Sequence, residues 1–341
     1  MKASKLKFAG ARVIKTGIAV FITAFLCLLL ELPAVYAVIT AIVSIEPTAS
    51  DSIRKGLIRF PASGIGAALA VLFVAFFGET PFTYASAAVL TILLCHSLKL
   101  YDGYLVAVLT AVAMIPTIHD NYFLTFLSRL GTTSIGLIVA TLINTFVLPP
   151  KFTPMIQSQV KQYYHLTAKA LEEWVTKIKE HQLSSSPSTS YIQLQKVMNK
   201  TNQLTQFQLQ EWKFHKGKIN EIRSFHRIQD IILLFQRINL HLGNLQYLKE
   251  RINFSAEEIR FISKLIQSIT TILLHPKGEI PSTHYQLIDE LDTRFKYVNS
   301  HYVVNKKYHH HFSPKTVIYY ELLSLHDTLE ELEWLHKKQH K

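Results

Sequence analysis

Ala37–Thr48 reads AVITAIVSIEPT, and about 70 residues later Ala107–Thr117 reads AVLTAVAMIPT. The second copy is shorter by one because Glu46 has no counterpart in it. The likeness extends outward. Arg59, Ile65, Gly66 and Ala70 recur as Arg129, Ile135, Gly136 and Ala140, and Thr23–Leu32 (TAFLCLLLEL) returns as Thr91–Leu100 (TILLCHSLKL). Apolar alphabets match by chance, so the Val, Ile and Ala identities count for little. The Arg, Gly, Pro, Thr and Cys positions carry the case. They imply a duplicated three-helix unit, with copies at about residues 13–78 and 82–148. An odd number of spans inverts the second copy relative to the first, an arrangement that transporters use with their site between the halves.

Two unlike stretches surround this repeat. Up to Pro150 the chain is apolar with few charges, whereas the remainder is rich in Lys, Glu, Gln, His and Asn at helical spacing. The expectation is an all-α membrane protein, with a six-helix transmembrane module over 1–150 and a cytoplasmic helical bundle over 151–341. A span takes roughly 20 apolar residues. The candidates are Val13–Leu30, Ala34–Ile45, Phe60–Gly78, Phe82–Ser97, Tyr104–Ile118 and Phe123–Leu148. The second and fifth rise only about 20 Å against a hydrocarbon core of about 30 Å. Each is either a broken helix or one that continues past its proline. Length alone secures four spans, and the repeat asks for six.

Lys2, Lys5, Lys7, Arg12 and Lys15 stand before or at the start of the first apolar run, with no small-residue cleavage site ahead of the next one. That pattern reads as an uncleaved first helix rather than a signal peptide. The positive-inside bias then sets the N-terminus in the cytoplasm. With six spans Arg54, Lys55, Arg59 and Lys151 fall on that same side, and Glu79 and His119–Asn121 on the other. The expected location is the inner or plasma membrane, multi-pass, with both termini cytoplasmic. Much of the net charge of +12 lies in the polar half, which suits anionic headgroups. Its Lys residues alternate with Glu along helices and no recognition motif appears, so nucleic acid is not an expected partner. Cys27 and Cys95 lie in apolar spans, as small packing residues rather than a disulfide or metal site.

In the second half, helices are expected over Phe152–Leu183, Tyr191–Lys216, Ile219–Arg251, Ser255–His275, His284–Ser300 and Pro314–His340, with linkers around SSSPSTS and Pro276–Thr283. Pro149 and Pro150 stop the last span, and Ser255 with Glu258 forms a capping-box pattern. Val317, Leu322, Leu325, Leu329, Leu332 and Leu335 make an apolar stripe for a bundle core. His309, His310 and His311 are consecutive, so they cannot all turn to one ion on regular structure, and a solvated loop is the reading. Phosphate-binding, dinucleotide, zinc-protease and nucleophile-elbow motifs are absent from the sequence. No enzyme activity, cofactor or metal is expected.

Charges inside spans are costly and usually face a bundle interior or a water-filled path. Lys15, Lys55, Arg59 and Arg129 are therefore the candidate anion pathway, with snorkelling to headgroups as the bland alternative. Thr132, Thr133, Gly136, Ala140 and Asn144 continue the face of Arg129, and Ala62, Gly66 and Ala70 do the same in the matching helix. Small stripes let helices approach closely, and Asn144 adds an amide for a substrate or a neighbouring helix. Pro47 and Pro116 end the two short helices at corresponding places, the pattern that points to a transport site. Glu46, the unrepeated residue, either pairs with Arg59 or Lys55 or titrates and couples flux to protons.

The segment Thr40–Gly66, TAIVSIEPTASDSIRKGLIRFPASGIG, resembles the fusaric acid resistance and aromatic acid exporter superfamily through Glu46, Thr48, Lys55, Gly56, Arg59 and Gly66. Plant aluminium-activated malate transporters have a similar Glu-x-Thr followed by Lys-Gly-x-x-Arg. Within the superfamily the nearest likeness is to a bacterial membrane-protein group with no substrate assigned to it, through GARVIKTGIA, AMIPTIHDNYFLTFLSR and NTFVLPPK. The resemblance implies a six-helix membrane module with a cytoplasmic helical domain, moving organic anions such as aromatic carboxylates. The malate-transporter likeness implies a homodimer with a basic pore. The large exporters carry a longer, doubled arrangement that this chain lacks, which favours dimerisation and weakens the inference of active export. The expected function is a membrane transporter or channel for organic anions. The alternative is a membrane-anchored scaffold or sensor whose helical domain binds a partner protein.

Overall fold

The computed structural model describes residues 2–118, 121–180, 186–215, 217–248, 252–276, 279–300 and 312–338. The side chains of Lys2, Lys5 and Lys7, the expected outer loop at His119, part of the SSSPSTS linker, and His309–His311 lie outside this set, as do the expected helix ends at Leu183, Lys216, Arg251 and His340. The chain is helical throughout the described residues and divides into two compact units. One comprises Met1–Lys151 with Gln206–Lys216, the other Phe152–Thr205 with Gly217–Lys341.

The first unit contains α1 (Lys2–Leu29), α2 (Ala34–Ser44), α3 (Ala49–Phe77), α4 (Pro81–Ser97), α5 (Tyr104–Met114, extended by a 3-10 turn over Ile115–Thr117) and α6 (Tyr122–Phe146). Within α1 the stretch Gly10–Leu29, together with α3 and α6, is long and apolar enough to cross a membrane, while α2, α4 and α5 are shorter apolar helices. Two helices begin well ahead of their expected apolar spans, α1 at Lys2 against Val13 and α3 at Ala49 against Phe60, and α3 runs through Pro61. Its start is set by Thr48, whose hydroxyl accepts the Asp51 N–H at 3.1 Å and satisfies a donor that the first turn leaves free. Pro61 removes one helical hydrogen bond, a loss that apolar helices packed among others tolerate. Thr80 caps α4 in the same way ahead of Pro81, which costs nothing at a first-turn position.

The residue types inside and outside this unit are inverted relative to a water-soluble core. Ala19, Ala37, Ala41, Ala62, Ala67, Ala70, Ala107, Ala111 and Ala140 are fully buried, while Phe21, Leu57, Phe76 and Phe146 point outward at 72–75% exposure. Small residues inside let backbones touch, and large apolar ones outside suit lipid. Gly66 on α3 lies against Ala107 of α5, where an added Cβ would come within 2.2 Å of the carbonyl oxygen. Gly136 on α6 lies against Ala37 of α2, with a corresponding distance of 2.4 Å. These glycines and alanines are the ones that recur in the sequence. The ends of α1 and α4 also match. Glu31 and Lys99 take left-handed φ values of 55° and 57°. The following N–H groups, of Leu32 and Leu100, reach back to the Cys27 and Cys95 carbonyls at 2.8 Å in both cases. This is the Schellman closure of a helix end. Cys27 and Cys95 are themselves free and buried.

The second unit holds α7 (Thr153–Lys179), most of α8 (Thr189–Glu211), α9 (Ile219–Gln246), α10 (Ala256–Leu274), α11 (Ser282–Ser300) and α12 (Pro314–Lys337). Its core is built from large side chains. Trp174, Tyr163, Phe225, Phe235 and Tyr319 are almost fully buried. The Trp174 indole N–H, which would be costly to bury unpaired, donates to the Leu245 carbonyl at 3.0 Å. Leu322, Leu325, Leu329 and Leu332 of the expected stripe are buried, joined by Ile318 and Tyr319. The Ser255–Glu258 capping box closes with bonds of 2.7 and 3.2 Å.

Candidate functional site

The Glu46–Pro47–Thr48 link between α2 and α3 gathers the charges of one end of the first unit. Glu46 receives Arg59 Nη2 at 2.7 Å and Lys55 Nζ at 2.9 Å. The remaining Arg59 donors are also used. Nη1 donates to the Val43 carbonyl at 3.2 Å and Nε to the Asp102 carbonyl at 3.3 Å. Lys55 and Arg59 lie one helical turn apart on α3, so both reach the same carboxylate. Glu46 is therefore the counter-ion of two cations in this arrangement, and Pro47 is a half-buried member of the link.

Lys15 and Asn144 complete that end. The Lys15 ammonium donates to the backbone oxygen of Asn144 at 3.1 Å and to its side-chain oxygen at 3.0 Å. The Asn144 amide nitrogen has three acceptors within reach, the Glu46 and Thr48 carbonyls at 3.0 Å each and Ser52 Oγ at 2.7 Å. Asn144 thus ties α1, α6 and the α2–α3 link together, and its side-chain polar capacity is consumed by the fold. Glu211, at the end of α8 and within the same compact unit, adds an acid that sequence pattern reads as ordinary helix surface. Its carboxylate accepts the Ala49 N–H at 3.1 Å and meets His215 Nδ1 at 2.8 Å. It therefore sits on the positive end of the α3 dipole.

Arg129 differs from these cations. It is 5% exposed, and Nη2 donates to Thr110 Oγ1 at 2.8 Å, while Nε and Nη1 are buried with no hydrogen-bond partner. The Tyr36 ring lies over the guanidinium, 4.3 Å from the carbon to the ring centroid. A cation on an aromatic face gains about 0.5–2 kcal/mol. That is much less than a buried, fully paired carboxylate would supply. Tyr36 is held in turn by its hydroxyl, which bonds the Ala113 carbonyl and Thr117 Oγ1 at 3.2 Å each. Arg129 and Tyr36 border a cavity of about 630 Å³ with Pro33, Ile39, Met114 and Pro116 among its walls and no Asp or Glu in its lining.

The structure thus separates the sequence candidates into two groups. Lys15, Lys55, Arg59, Glu46 and Asn144 form one bonded network, whereas Arg129 and Pro116 belong to the cavity. Tyr36 and Thr110 were missed by sequence reasoning. Thr110 had a usable signal, since it is the repeat counterpart of Thr40. Tyr36 had none, because its place over Arg129 depends on how α2 crosses α6. Thr110 also contacts Ser63 Oγ at 3.0 Å, and Ser63 meets Thr133 at 3.3 Å. Ser63 and Thr133 occupy the same position in the two copies of the repeat. Among the described residues no group of three or more His, Cys, Asp and Glu side chains is arranged to hold a metal ion.

Comparison with known proteins adds a family to this geometry. Residues 7–147 match the family model described as aromatic acid exporter family member 1. A UPF0421 protein of Bacillus cereus is 44% identical over 339 residues, covering 98% of this chain and 95% of the relative. Similar proteins occur in Halalkalibacterium halodurans, at 38% identity with coverage of 96% and 90%, and in Staphylococcus haemolyticus, at 41% with 78% and 82%.

Proposed function

The chain belongs to the UPF0421 proteins, its residues 7–147 match the aromatic acid exporter family model, and on that premise we propose that it is a membrane transporter or channel for organic anions, aromatic carboxylates first, with Arg129 as its anion station. The family is of transporter type rather than an enzyme family. The observation that carries the proposal is the buried Arg129 guanidinium with two unpartnered N–H donors beside a cavity that has no acidic lining. A carboxylate entering this cavity would supply the missing acceptor, and charge-assisted bonds of that kind are among the strongest available to proteins. The Tyr36, Met114 and Pro116 walls suit a ring. Tyr36 covers the guanidinium face, so it is the group that an arriving anion would displace.

The finer architecture belongs to the same proposal. The first unit is a six-span module of two inverted three-helix repeats, lodged multi-pass in the cell membrane with both termini in the cytoplasm, and it pairs as a homodimer. Support for the inverted repeat comes from the matched left-handed ends of α1 and α4, from the reciprocal Gly66–Ala107 and Gly136–Ala37 approaches, and from the Ser63–Thr133 contact. Equivalent residues that touch each other are what a pseudo-two-fold axis requires. In this scheme Lys15, Lys55, Arg59 and Asn144 line the other end of the path, and Glu46 between Pro47 and Arg59 is the gate.

The test is flux of benzoate, salicylate and malate into proteoliposomes, with and without a pH gradient. Saturable flux that is lost in Arg129→Gln is expected, and undiminished flux in that variant would remove Arg129 from the path. If Glu46 couples protons, Glu46→Gln leaves binding intact and abolishes the response to the gradient. An unaltered response would leave Glu46 a structural counter-ion only.

A further inference from the structure

The second unit has its own cavity, of about 610 Å³, where α7, α9, the end of α10 and α12 meet. Its floor is aliphatic and buried, with Val160, Ile228, Ile231 and Leu273 each at 8% exposure or less. Its rim is cationic. Lys161 from α7 and Arg227 from α9 stand there with His165 and His336, and no Asp or Glu joins the lining. Other cations of the unit do meet acids, as in Arg237–Glu331, Arg294–Glu257 and Lys337–Glu333. Neither Lys161 nor Arg227 forms an ion pair among the described residues.

The cavity wall is braced. The Tyr164 hydroxyl lies 2.9 Å from His336 Nε2, and its ring packs edge-on against Phe235 with centroids 4.6 Å apart. Burial raises the pKa of Tyr164, which keeps the phenol neutral and able to donate. A volume of this size lies in the range of small-molecule sites, which combine apolar walls with a few convergent polar groups. Two rim cations and ring-bearing walls over an aliphatic floor suit an occupant that is anionic at one end and flat and apolar at the other.

We infer that the cavity rimmed by Lys161 and Arg227 is a second binding site, separate from the one at Arg129, for a soluble aromatic carboxylate. Lys161 and Arg227 hold the carboxylate, and the ring lies on Ile228, Ile231 and Leu273. Binding here is independent of transport. Its use as a sensor of the transported class rests on the transport reading above.

The experiment is equilibrium dialysis of radiolabelled 2-naphthoate against the full-length protein in dodecyl maltoside, with empty micelles as the blank. The parent, Lys161→Gln/Arg227→Gln and Arg129→Gln are compared, with 2-naphthamide as the uncharged isostere. The double variant alters rim side chains only, and an unchanged far-ultraviolet spectrum and melting temperature check its fold. The expected result is saturable binding to the parent that is retained in Arg129→Gln, with the binding that Arg129→Gln retains weakened about tenfold or more in the double variant. Retention in Arg129→Gln would support this site even if no flux were ever measured. The inference is overturned by no saturable binding to the parent, by equal binding to a folded double variant, by equal binding of 2-naphthamide, or by binding that disappears only in Arg129→Gln.

Discussion

Arg59 and Arg129 hold corresponding places in the two copies of the repeat, yet Arg59 meets Glu46 at 2.7 Å whereas Arg129 meets a hydroxyl and the face of a tyrosine. Both are buried, at 7% and 5% exposure. The difference traces to one residue. Glu46 stands between Ile45 and Pro47, and in the second copy Ile115 runs directly into Pro116. Two matching stretches of sequence thus carry a neutralised cation in one and an uncompensated cation in the other. The first costs little to keep and contributes little that is free to bind. The second is expensive in isolation and gains most from a mobile anion.

The largest expected effect falls on the neutralised end. Glu46→Ala leaves the buried Arg59 and the half-buried Lys55 without their acid and should destabilise the first unit by up to about 3–5 kcal/mol in detergent unfolding. A variant as stable as the parent would show that the network around Arg59 contributes nothing to folding. At the other end the signs should reverse. Arg129→Gln should lower anion flux roughly 10- to 100-fold, the worth of a charge-assisted hydrogen bond, with stability equal to the parent's or higher. Loss of folding there would make Arg129 a structural residue like its counterpart.

Smaller effects probe whether the two copies are alike in everything except charge. Gly66→Ala and Gly136→Ala should each cost about 1–3 kcal/mol, because each new methyl meets a backbone carbonyl that cannot rotate away. A neutral result at either position would break the packing equivalence. Inserting a glutamate between Ile115 and Pro116 supplies the acid that the second copy lacks, and flux should fall about tenfold as Arg129 is neutralised. Unchanged flux would separate charge from transport. The smallest change is at the helix ends. Glu31→Gly and Lys99→Gly relieve a left-handed conformation that costs a side chain roughly 1–2 kcal/mol, less glycine's own entropy, so each should stabilise by under about 1 kcal/mol. Thermal melts of the pair would reveal any asymmetry.

Much of the scaffold was legible in the residues. The apolar runs, the capping residues Ser255 and Glu258, the proline-ended short helices and the Gly66 and Gly136 stripes are local patterns, and local physics decides them. The start of α3 was not. Phe60 looked like the beginning of an apolar run, but Thr48 had already capped the helix and Pro61 did not stop it. Hydropathy marks where a helix becomes apolar, whereas capping chemistry marks where it begins. In the candidate site Lys15, Lys55, Arg59 and Arg129 all read as pathway cations, with Arg129 favoured, because the cost of burying a charge marks each of them and names no partner.

What the sequence determined by itself is the set of helices, the small-residue faces on which they touch, and the one-residue asymmetry that removes an acid from the second copy. Those depend on neighbours along the chain and on a comparison of the chain with itself. What only the tertiary structure decided is which cation is left uncompensated and what covers it. Asn144 reaches Lys15 across 129 positions of chain, and Thr110 meets Arg129 from another helix. The ring of Tyr36 comes over the guanidinium from α2. A buried charge is judged by the acceptors within about 4 Å of it, and helix crossing rather than sequence spacing sets which acceptors those are.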